Sequence, residues 1–108
     1  MPDDEAAPDG PAPGPESVLD ALFETIEQRK ADLPEGSYTA SLFTHEKGEN
    51  ATLEKVGEEA TEVVLAAKDD DRDALVAESA DLVYHLLVLL AMHDLTVDDL
   101  RAELESRF

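Results

Sequence analysis

Apolar residues recur along this chain at the three- and four-residue spacing of helices with one buried face. Val18, Leu19, Leu22, Phe23 and Ile26 form the first such stripe. Ser17, with Asp20 three residues on, is a capping-box arrangement that opens the helix. Leu33-Pro34 closes it, because the residue before proline disfavours helical geometry. The segment PEGSYTASLFTHEKGE is a connection with two glycines, in which Tyr38, Leu42 and Phe43 pack down, with room for a short helical turn. A second helix is predicted over 50–68, with Val56, Ala60, Val63, Val64 and Ala67 on one stripe. DDDRD follows as a turn and supplies acidic N-cap candidates. A third helix is predicted over 72–93, and over 82–92 it is apolar nearly all round, which calls for burial against several neighbours. Thr96 with Asp99 is a second capping box, opening a short last helix through Val97, Leu100 and Leu104.

The expectation is an all-α bundle of about four helices with no convincing strand. Its second and third helices form a central antiparallel pair. A core this small is incomplete by itself, and the third helix needs more cover than three short partners give. A homodimer or higher homo-oligomer is therefore expected.

Composition changes the picture at the N-terminus. Residues 1–16 hold five prolines and two glycines and no large apolar residue after Met1, so they read as a disordered acidic tail. The domain is expected over 17–108. Across the chain 27 acidic residues face 8 basic ones, a formal charge of −19. That excludes nucleic-acid binding through a basic footprint and argues against anionic membrane surfaces. There is no cysteine, hence no disulfide or thiolate metal site. The N-terminus has no apolar signal region, and the longest unbroken apolar run, 86–92, falls well short of the ~18 residues that suggest a membrane span. A soluble, cytoplasmic protein is expected. Self-repulsion at −19 destabilises a compact domain, and at 1 M salt the Debye length of about 3 Å removes most of it. The balance points to a salt-rich cytosol.

The informative charges lie inside the apolar helices. Within KVGEEATEVVLAAK, Glu58 and Glu62 are four apart and Glu59 and Glu62 three apart, so they share a face. Glu78 and Asp81 repeat the spacing within LVAESADLVYHLLVLL. Carboxylates in a buried stripe are costly unless paired or bound to metal, and the few basic residues are too peripheral to pair with five of them. The short turn makes the two helices antiparallel neighbours, placing both acidic patches within one or two turns of each other. An all-oxygen donor set suits a hard divalent cation such as Mg²⁺, which commonly bridges carboxylates and substrate phosphates. A solvated, salt-adapted face is the alternative. A di-iron bundle is disfavoured because no histidine has a glutamate three residues before it. Lys55 lies on the acidic face, placed to contact phosphate or to relieve repulsion. His85, four beyond Asp81, is either a core histidine or a substrate-side or supporting one. Lys47 and Arg29 are further phosphate candidates, and Tyr38 is read as packing.

EExxE on one helix followed by ExxD on the next resembles the all-α, MazG-like nucleotide pyrophosphohydrolases. PEGSYTASLF, KVGEEATEVVLAAK, ESADLVYHLLVLL and TVDDLRAELESR together resemble the phosphoribosyl-ATP pyrophosphatase family of histidine biosynthesis, over about residues 17–107. The resemblance implies Mg²⁺-dependent hydrolysis of phosphoribosyl-ATP to phosphoribosyl-AMP and pyrophosphate. It carries Glu58, Glu59, Glu62, Glu78 and Asp81 over as the metal-binding set, with Glu59 and Glu62 as the catalytic candidates and the general base left open. Lys55 matches a basic position, although the family often has two adjacent lysines where this chain has Glu54-Lys55. Lys47 and His85 remain substrate-phosphate candidates. Two other readings stay open: a related pyrophosphohydrolase acting on a noncanonical nucleoside triphosphate, and a non-enzymatic acidic interaction module.

Overall fold

A computed structural model describes residues 18–108. The tail read over 1–16 and the Ser17 cap lie outside the described residues. Five helices follow one another: α1 (Val18–Asp32), α2 (Tyr38–Phe43), α3 (Asn50–Lys68), α4 (Arg72–Met92) and α5 (Val97–Glu105), with no strand among the described residues. The all-α expectation holds, with the central antiparallel pair as α3 and α4. The short helical turn expected in the connection is a helix in its own right, because the Ser37 side chain accepts a hydrogen bond from the Ala40 amide and caps its first turn.

Local chemistry sets the other boundaries. Asp71 caps α4 by accepting from the Ala74 amide. Thr96 and Asp99 cap α5 reciprocally, as the sequence predicts. Both long helices end alike. At the end of α3 the Asp71 amide donates to the Ala66 carbonyl and the Asp70 amide to Ala67; at the end of α4, Leu95 donates to Leu90 and Asp94 to Ala91. This Schellman pairing needs a left-handed residue, and Asp70 (φ 54°) and Asp94 (φ 57°) provide it. Aspartate tolerates that region better than most residues, its carboxylate being short and polar.

The core gathers Phe23 and Ile26 from α1, Leu42 from α2, Tyr84, Leu87, Val88 and Ala91 from α4, and Val97 from α5. All buried residues of α4 fall in its second half. The single chain leaves part of α4 bare, in keeping with the reading that this helix needs more cover than the other helices give. Val76 is 70% exposed, and Val83 and Leu86 are 39% exposed, so a flank of α4 stays bare in the single chain. By length and composition α4 is also the one described helix able to cross a bilayer, which counting unbroken apolar runs does not register. Glu78, Asp81 and His85 along it, with its packing against α3 and α1, are the features of a central bundle helix.

Candidate active site on the α3–α4 pair

The three-residue reversal Asp69–Asp71 forces α3 and α4 side by side and antiparallel. A single contact fixes their register: the Glu59 Oε1 of α3 lies 2.6 Å from the His85 Nδ1 of α4. One turn toward the reversal, higher numbers on α3 meet lower numbers on α4. Glu62 therefore stands roughly level with Asp81, and Glu78 comes a further turn along. The antiparallel register expected from the sequence is the one observed.

The carboxylates differ in their surroundings. Glu59 has a side chain only 12% exposed. Glu78 and Asp81 are half-buried, and Glu62 is exposed. Glu58 points to solvent at 63% and pairs with Lys55 at 3.6 Å. The side chains of Glu62 and Glu78 have neither a hydrogen bond nor an ion pair among the described residues. No three acidic or imidazole groups among the described residues draw together into a closed cluster. The donors nevertheless fit a hard cation: they are carboxylate oxygens on facing turns of two helices, and half-buried Glu78 has no ion-pair partner among the described residues.

His85 is the best-determined group of the site. It is buried, and both ring nitrogens are engaged: Nδ1 with Glu59 and, at 3.1 Å, the Asp81 carbonyl; Nε2 with the Tyr38 hydroxyl at 3.0 Å. Burial pushes the imidazole below its usual range, against the opposing pull of the Glu59 charge and hydrogen bond. A neutral ring carries one proton. A carboxylate and a carbonyl only accept, so that proton sits on Nδ1, and Nε2 accepts from the Tyr38 O–H. Burial raises the Tyr38 phenol, with Lys55 opposing and Glu59 and Glu58 adding to the rise, so it stays a donor at neutral pH. The Tyr38 and Tyr84 rings meet His85 edge-on, at 5.9 Å and 4.8 Å between centroids. Tyr84 also shares a hydrogen bond with Thr39, so two successive residues of α2 are pinned to α4.

The other sequence candidates fall into place around this centre. Lys47 pairs with Glu54 at 3.2 Å, both exposed. Arg29 is half-buried on α1. In this arrangement His85 has no ring nitrogen to spare for a phosphate. Tyr38, read from the sequence as packing, is also a hydrogen-bond donor to the site. The bond joins residues 47 apart, and no local pattern in the sequence points to it.

An all-α chain with EExxE on one helix and ExxD on its antiparallel neighbour has the make-up of an all-α nucleotide pyrophosphohydrolase. The family model described as phosphoribosyl-ATP pyrophosphohydrolase matches residues 19–108, and the chain belongs to that family. It is similar to proteins named phosphoribosyl-ATP pyrophosphatase: 71% identical to that of Haloarcula marismortui, over 83% of this chain and 92% of the relative; 70% to that of Natronomonas pharaonis, over 85% and 91%; and 66% to that of Haloquadratum walsbyi, over 86% and 93%. Halophilic relatives fit the salt adaptation read from the charge balance.

Proposed function

We propose that this protein hydrolyses phosphoribosyl-ATP to phosphoribosyl-AMP and pyrophosphate, the second step of histidine biosynthesis, with Mg²⁺ as its cofactor. The observation that carries the reading is the family match over residues 19–108, which spans both acid-bearing helices. The residues that would hold the cation are Glu59, Glu62, Glu78 and Asp81, with Glu58 at the rim. A hard cation bound there would neutralise triphosphate oxygens and lower the pKa of an attacking water. The chain's own groups do the rest. Attack by water on phosphorus forms the new P–O bond and breaks the anhydride, and a glutamate of the set, Glu59 or Glu62, takes the water's proton. Lys55, exposed beside Glu58, offers its ammonium to the departing pyrophosphate.

The bare apolar flank of the pair supports assembly. Val64 on α3 and Val76 and Val83 on α4 are exposed in the single chain, and a second copy in a homodimer would cover them. The protein would work in the cytoplasm on a small nucleotide.

Purified protein assayed with phosphoribosyl-ATP and Mg²⁺ at high KCl should release pyrophosphate, with far slower turnover of a panel of ordinary and noncanonical nucleoside triphosphates. Turnover of dUTP with none of phosphoribosyl-ATP would assign the protein to a related activity instead. No Mg²⁺-dependent hydrolysis of any nucleotide would leave a non-catalytic acidic module.

A further inference from the structure

Resting on the cation site just proposed, we infer that His85, braced by Tyr38, is a positioning residue: it holds one oxygen of Glu59 so that the other is presented to the cation. DLVYHLLVLL would pack as well with an aliphatic residue at 85, and a buried imidazole costs free energy unless both nitrogens are satisfied. Here both are, and each bond has a direction. The Tyr38 O–H donates to Nε2, which polarises the ring, and Nδ1–H donates to Glu59 Oε1 at 2.6 Å, a charge-assisted length. Glu59 Oε2 has no hydrogen-bond partner among the described residues and is not a buried orphan, so it is open to solvent. Glu62 and Glu78 have no such support. Glu59 is thus fixed before any ligand arrives, while the Glu62 and Glu78 side chains are not. The brace also reaches α2, because Tyr38 is the first residue of that helix and Thr39 is tied to Tyr84. The position of α2 and the aim of Glu59 are therefore coupled through one ring.

The test is Mn²⁺ binding to the full chain without nucleotide, read by the electron paramagnetic resonance of free Mn²⁺ at fixed KCl. His85→Leu removes the donor and should weaken binding by about 10- to 100-fold, the usual effect of losing a partner that orients a metal ligand. His85→Asn places an amide N–H where Nδ1 stands and should recover most of the affinity. Tyr38→Phe keeps the ring and removes the brace, so it should weaken binding less than His85→Leu does. A role in packing alone predicts a lower unfolding midpoint with unchanged Mn²⁺ affinity in the folded variants. Parent-like affinity in folded His85→Leu, or in Tyr38→Phe, overturns the inference and leaves the proposed activity standing. Should His85→Leu not fold, Tyr38→Phe decides. A parent protein that binds no Mn²⁺ overturns this inference and the cation site together.

Discussion

The two halves of α4 are built differently. From Tyr84 onward it is enclosed by α1, α2, α3 and the start of α5, and Tyr84, Leu87, Val88 and Ala91 are almost fully buried. Before Tyr84 no residue of the helix is buried. The carboxylates lie along the poorly covered half, and the Glu59–His85 contact marks the border. The packed half is stabilised by burial, which needs nothing from outside the chain. The open half carries the half-buried, unsupported Glu78 and the exposed Val76 and Val83; the proposed cation would relieve the charge and a second copy would cover the valines. Ligands that bind only the folded state stabilise it by mass action, so the open half should gain most from cation and partner.

The largest separation between the halves should appear in activity. Asp81→Asn or Glu62→Gln removes a charge from the open half while leaving its shape. Turnover should fall by about 10³-fold, equivalent to roughly 4 kcal/mol of lost transition-state stabilisation. The helical circular dichroism should be retained, because neither group is part of the packed core. Parent-like pyrophosphate release from both variants would remove these carboxylates from the mechanism.

Stability should show the reverse ranking. Leu87→Ala in the packed half leaves a cavity where the side chain is 1% exposed, and should cost about 3 kcal/mol in denaturant unfolding at fixed salt and protein concentration. On the open flank, Val83→Asp should leave the single chain folded and shift the protein toward monomer in light scattering coupled to gel filtration. An unchanged oligomeric state would place the interface elsewhere.

How much of this was legible beforehand follows the same division. The helix boundaries were, because caps are local: Asp71 before α4 and the Thr96–Asp99 pair before α5 act within four residues of themselves. The antiparallel register of the acid groups was also legible, since a three-residue reversal allows little else. That α4 wants more cover than this chain gives was legible from the apolar stretch over 82–92; which of its residues stay bare, Val76 and Val83 among them, was not. Nor was the bond from Tyr38 to His85, a contact 47 residues apart in sequence. Spacing along one helix places His85 near Asp81, but only the fold delivers the hydroxyl from α2.

The smallest effect concerns the closure of the packed half. Lys30 donates to the Ala91 carbonyl at the end of α4 and to Asp94 at 2.9 Å. That hydrogen bond first, and the Lys30 charge second, hold the Asp94 carboxyl below its ordinary value of 3.8. A depressed carboxylate contributes stability that is present above its unfolded pKa and disappears as pH falls through the lower folded value. Asp94→Asn keeps the left-handed backbone, which asparagine tolerates as well, and leaves the Lys30 bond to Ala91 in place. Its melting temperature should therefore lie slightly below the parent's at pH 7 in moderate salt. The two should converge as pH falls through the folded value of Asp94, and also as KCl rises, since the pair is exposed and screened. A gap between them that does not change with pH would mean that Asp94 acts through its backbone conformation and not through its charge.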